Sequence, residues 1–89
     1  MSDADRLRQC NSSGAFAAFL KEPGDAPMRE IIAKAVSLRA NGDAMRIAAG
    51  LSQDEFDRIR SGQLEPEPDR RKEIIETWLA QKLFAQAAA

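Results

Sequence analysis

Ser52, Gln53 and Arg58 are the side chains of this sequence best suited to recognition chemistry. A glutamine amide can bond an adenine edge in two places. A serine hydroxyl donates or accepts, and an arginine fork reaches guanine or a phosphate. Ser52 and Gln53 stand at the start of a short helical stretch, with Arg58 a turn later, so these groups can meet the bases of duplex DNA. Arg39, Arg46, Arg60 and the run Arg70-Arg71-Lys72 are candidates to hold phosphates, provided the fold brings them to one face. Asp54, Glu55 and Asp57 oppose that use, because each would approach a polyanion with like charge. Salt softens the penalty at exposed positions. The same acids suggest a different occupant. Asp54, Glu55 and Asp57, or the apolar stripe of Trp78, Leu83 and Phe84, would suit a protein partner instead.

Catalysis finds no support in the residue types. There is no histidine, and Cys10 is the one cysteine, which removes histidine-based triads, an intrachain disulfide and the usual zinc sites. Cys10 is expected to be a weakly packed or exposed thiol. No Gly-rich phosphate loop appears, and the carboxylate pairs all fit capping or surface positions. The expectation is a non-enzyme without cofactor or metal. Thirteen basic and 14 acidic residues give a net charge of −1, so any contact with DNA must rest on local patches. No apolar run is long enough to span a membrane. Residues 1–8 are polar with no apolar stretch behind them, which makes the cytoplasm the expected compartment.

The elements that must position these residues are helical throughout. An 89-residue chain forms one small domain with a modest core. Residues 1–12 are sparse in apolar groups and are expected to be a flexible tail, leaving residues 13–89 as a single helical domain. Residues 13–21 suit a short helix capped by Ser12 or Ser13, with Phe16, Phe19 and Leu20 on one face. The segment 22–27 holds two prolines and a glycine and breaks it. A helix over 28–40 follows, with Asp25 as its cap and Asn41-Gly42-Asp43 as its stop. Residues 44–49 form the next helix, capped by Asp43 and ended by Gly50, with Leu51 buried at the corner. Ser52 and Glu55 form a capping box for the helix that carries the recognition residues. Phe56 and Ile59 point inward from it, and Ser61-Gly62 stops it. After the loop 63–68, Asp69 caps a last helix over 70–86. Its Leu83-Phe84 end extends past the core and offers a homodimer contact. The predicted class is all-α: a small bundle of about five helices containing a helix-turn-helix.

The corner Gly50-Leu51-Ser52-Gln53, together with Phe56, Ile59 and Gly62, resembles the helix-turn-helix of lambda-repressor-like (XRE-type) regulators. Members of that family often run from the final glycine through a short loop to a proline, and Pro66 stands at that distance. The similarity in layout spans residues 28–79. It implies a DNA-binding transcriptional regulator that reads the major groove with the helix beginning at Ser52. The chain departs from the family pattern at three places. Arg46 stands where a small alanine is usual. Arg60 stands where a glutamate usually pairs with an arginine of the preceding helix. Pro68 replaces an apolar residue. The alternative reading, drawn from the residues alone, is a protein-protein interaction module, an adaptor or small inhibitor using the acidic face or the C-terminal helix.

Overall fold

Six α-helices and no strand make up residues 2–83, the part of the chain that the computed structural model describes. In order they are α1 (Asp3–Arg8), α2 (Ser13–Leu20), α3 (Met28–Ser37), α4 (Gly42–Ala49), α5 (Gln53–Ser61) and α6 (Pro68–Ala80). The all-α bundle expected from the pattern is present, with one helix more than the expected five. α5 lies against α3, α4 against α6, α1 against α2 and α3, and α2 against α6.

The extra helix corrects the reading of the N-terminus. Residues 2–12 do not trail away from the body. Ser2 caps α1 by accepting from the Asp5 amide, and Leu7 and Cys10 are buried, so Cys10 is not a loosely packed thiol. Polar groups then tie α1 to α3. Arg8 pairs with Glu30 at 3.0 Å, and Lys34 donates to the Arg8 carbonyl at 3.0 Å. A polar composition concealed this helix because one leucine carries the docking. Burying such a side chain is worth roughly 1.5–3 kcal/mol.

The core is continuous from Phe16, Phe19 and Leu20 on α2, through Met28, Ile31, Ile32 and Ala35 on α3, to Ile74, Ile75 and Trp78 on α6. Met45 and Ala49 on α4, Leu51 in the corner, and Phe56 and Ile59 on α5 complete it. Trp78 is fully buried, and its indole Nε1 donates to the Met45 carbonyl at 2.9 Å. It therefore belongs to the core and presents no surface to a partner.

Several helix ends differ from their expected caps. Pro27, not Asp25, precedes α3, and the Met28 amide donates instead to the Glu65 carboxylate, at 3.1 Å to Oε1 and 3.3 Å to Oε2. α3 ends at Ser37, and the left-handed residue that closes it is Arg39 (φ 76°) rather than Asn41 or Gly42. The Ala40 amide then reaches back to the Ala35 carbonyl, the six-to-one bond of a Schellman stop. Asn41 is thereby free to cap α4 by accepting from the Ala44 amide, the role expected of Asp43. α6 begins at Pro68, whose missing N–H is no loss at the first helical position.

The other end of α6 changes the expected dimer contact. The helix stops at Ala80, Lys82 turns left-handed (φ 56°), and the Leu83 amide returns to the Trp78 carbonyl. Leu83 is half-buried against the core and does not project beyond it. Phe84 and the expected helix end at Gln86 lie outside the described residues. Among the described residues no helix is long and apolar enough to cross a membrane.

Candidate nucleic-acid interface

The candidate interface is built on a turn that its own residues dictate. Gly50 takes the left-handed conformation (φ 69°) that ends α4, a conformation a Cβ disfavours. The Leu51 amide returns to the Arg46 carbonyl at 3.1 Å, and the Leu51 side chain is buried at the corner. Ser52 is extended, and its hydroxyl accepts from the Glu55 amide at 3.1 Å, so the serine half of the expected capping box is formed. Gly62, left-handed at φ 87°, ends α5. α5 is thus bounded by a hydroxyl cap and a glycine stop, as its sequence implies.

Burial divides α5 into two faces. Phe56 and Ile59 are buried and hold the helix against α3. Ser52, Gln53, Asp54, Asp57, Arg58 and Arg60 are exposed, and Glu55 is intermediate. The leading end of the helix is therefore uncovered. Its exposed polar groups pair along the helix. Gln53 Nε2 donates to Asp57 Oδ1 at 2.9 Å, and Arg58 Nε meets Asp54 Oδ2 at 3.1 Å. Both are i,i+4 contacts in open solvent, where such a pair contributes about 0.2–0.5 kcal/mol. Groups held this weakly can be taken over by a ligand.

The structure removes one member from the expected arginine set. Arg39 and Arg60 are exposed. Arg46 is half-buried, and its Nη1 donates to the Leu51 carbonyl at 3.2 Å, bracing the corner from inside. Its Nε is buried with no hydrogen-bond partner among the described residues. Arg46 is thus not a phosphate clamp. Its guanidinium serves the turn.

In the basic run at 70–72, Arg70 and Arg71 find partners within the chain. Arg70 donates to the Ala49 carbonyl at 3.2 Å, satisfying the C-terminal end of α4 where a cation is favoured, and to Glu73 at 3.3 Å. Arg71 donates to the Gly24 carbonyl at 2.9 Å and also to the Ala26 carbonyl. Cations in the first turn of a helix are locally unfavourable. Here they reach across to carbonyls of other elements.

Two residues that hold the site in place do so through contacts that no local pattern indicates. Glu65, an exposed acid of the loop 63–68, caps α3, the helix behind α5. Arg71 approaches the same carboxylate at 3.9 Å. The only local hint was that Pro27 leaves α3 without a side-chain cap. Nothing near either residue in sequence points to the other.

Among the described residues no group of three or more histidine, cysteine or acidic side chains is placed to hold a metal ion. Compared with known proteins, the chain matches no family model, no curated protein and no solved structure.

Proposed function

We propose that the chain is a small DNA-binding regulator whose α5 enters the major groove leading end first. The observation that carries this reading is the division of α5. Its apolar side is fixed against α3 by Phe56 and Ile59, while Ser52, Gln53 and Asp54 at its start are exposed. A reading helix needs both conditions, because its early side chains must reach base edges from a rigid support. In this reading Gln53 and Arg58 contact bases and exchange their weak intrahelical pairs for contacts to DNA. Arg39 and Arg60 approach phosphates.

The test is gel retardation of random-sequence duplex over a salt series. The expected result is retention at low salt that falls steeply as salt rises. Arg60→Ala lowers the salt slope by about one, and Gln53→Ala weakens specific binding by roughly tenfold. No retention of duplex at low salt defeats the proposal.

A second reading has its own observation. Ile47 on α4 is 66% exposed, beside the turn that leads into the acidic helix. An apolar side chain in that position, with Asp54 and Asp57 nearby in sequence, suits a basic protein partner better than a phosphate backbone. Under this interaction-module reading, Ile47→Asp and Asp54→Lys abolish complex formation with that partner, and Arg60→Ala does not.

A further inference from the structure

The six residues of α1 are too few to hold a helix by themselves, so α1 persists only while it is docked. It packs on α2 and α3, and Leu7 is its one buried side chain. Its other ties are polar and lie at the surface. Arg8 meets Glu30 at 3.0 Å, Lys34 donates to the Arg8 carbonyl at 3.0 Å, Arg6 donates to the Glu22 carbonyl at 3.1 Å, and Asp3 accepts from the Asp25 amide at 3.0 Å. The helices beneath have supports of their own. Ser12 caps α2, which buries Phe16, Phe19 and Leu20, and α2 also packs on α6. Cys10 stands in the short connection between α1 and α2. Its thiol lies 3.5 Å from the Arg6 carbonyl and 3.7 Å from the Ala15 carbonyl, and the residue is 8% exposed. Part of its cover is therefore α1 itself.

We infer that α1 is a strap: it lifts from α2 and α3 as a unit while α2 to α6 stay folded, and this lifting uncovers the Cys10 thiol. A segment joined through one leucine and surface charges opens at lower free energy than helices joined through a shared core. Unfolding the body has to pull apart Phe16, Met45, Ile74 and Trp78, including the buried bond from the Trp78 indole to the Met45 carbonyl. Lifting α1 breaks none of these. Residues 9–12 lie between the two helices, so α1 swings on them without disturbing the bond from the Ala15 amide to the Ser12 hydroxyl. The device gates chemistry. A thiol reacts as its thiolate and needs both water and reagent beside it, which the docked strap excludes. Cys10 is the one cysteine of the chain, so its reactivity follows the hold of α1 and not the stability of the whole domain. This strap is independent of the DNA-reading role proposed above.

The experiment is alkylation of Cys10 in the full chain by iodoacetamide, a neutral reagent, at concentrations where the rate is proportional to reagent. Dividing by the rate for the same chain in denaturant gives the fraction of molecules with an open thiol. Urea unfolding followed by Trp78 fluorescence gives the fraction globally unfolded. The open fraction is expected to exceed the unfolded fraction by about tenfold or more. Glu30→Gln removes the pair with Arg8 and should raise the open fraction by about two- to fivefold. Leu7→Ala should raise it by roughly tenfold or more, with the Trp78 signal still that of a folded body. Ile74→Val weakens the body on α6. It should raise the unfolded fraction by about two- to tenfold and leave Cys10 alkylation unchanged, because docked and lifted states lose the same contact. Three results overturn the strap. In the first, wild-type alkylation proceeds only to the extent of global unfolding. In the second, Ile74→Val speeds alkylation in step with unfolding. In the third, neither Glu30→Gln nor Leu7→Ala changes alkylation, which would mean that Cys10 opens without α1.

Discussion

Two charge-rich regions of this molecule use their charges in opposite ways. On the outer face of α5, Gln53, Asp54, Asp57 and Arg58 pair, among the described residues, with residues of their own helix. Around the loop between α2 and α3, charges from distant parts of the chain converge on backbone groups. Asp3 of α1 accepts from the Asp25 amide at 3.0 Å, and Arg6 donates to the Glu22 carbonyl at 3.1 Å while lying over the Phe19 ring. Glu65 takes the Met28 amide, and Arg71 takes the Gly24 and Ala26 carbonyls. A charge committed to main chain from another element satisfies a group that would otherwise lack a partner, so it supports the fold. A charge paired one turn away in solvent satisfies nothing that water would not, so it remains available to a ligand. Counting arginines therefore misjudges this protein, because Arg6, Arg46, Arg70 and Arg71 serve carbonyls, whereas Arg39, Arg58 and Arg60 are exposed.

Removing Arg71 should break that contrast most forcefully. Its side chain is 15% exposed, and Arg71→Ala leaves the Gly24 and Ala26 carbonyls without their partner and removes the cation beside Glu65, which keeps the Met28 amide. The expected loss is about 2–3 kcal/mol by urea unfolding. A loss no larger than that of a surface substitution would show that the convergence on this loop carries no stability.

A smaller effect is expected at Gly24. It is left-handed (φ 60°), and a Cβ there would overlap the Asp3 carboxylate. Gly24→Ala should lower stability by about 1–2 kcal/mol, combining the left-handed strain with displacement of Asp3. Combined with Asp3→Ala, which clears the space, the second substitution should cost less than it does alone. Strict additivity would show that the two sites do not meet.

The Asp3 carboxyl gives a pH-dependent version of the same test. Its pKa lies below the ordinary 3.8, chiefly because the Asp25 amide donates to it and secondarily because of Arg6. A depressed folded value means that the ionised form supports the fold at neutral pH. That support is lost as the pH falls below 3.8 and through the folded value. The stability difference between wild type and Asp3→Asn should therefore be full at neutral pH and close in acid. A difference that does not vary with pH would contradict the assignment.

The smallest stability effect belongs to α5. Asp54→Ala breaks the pair with Arg58 and should change stability by no more than about 0.5 kcal/mol. In the DNA-binding assay the same substitution should raise affinity, since it removes a like charge and frees an arginine. A large loss of stability would place Asp54 among the structural charges and erase the distinction between the two regions.

Local features were legible wherever a residue acts on its near neighbours. Ser12 and Ser52 cap the helices they precede, Gly50 and Gly62 end theirs, and Phe16, Phe19, Phe56 and Ile59 face inward as their spacing requires. Arg39 shows where local rules mislead. Asn and Gly were the natural candidates for the left-handed stop, but an arginine took it because Asn41 was then placed to cap α4. Leu7 shows how little apolar sequence a helix needs when another helix waits to cover it.

By itself the amino-acid order determined the class of fold, the corner at Gly50-Leu51-Ser52 and the inward side of α5, because caps, stops and periodicity act over one or two turns. Only the tertiary structure decided which charges are free. Arg71 and Glu65 find their work at Gly24, Ala26 and Met28, and Trp78 at the Met45 carbonyl. Backbone groups left unpaired at helix ends and in loops must be satisfied from whatever lies beside them in space. That neighbour is set by packing, which no local pattern records.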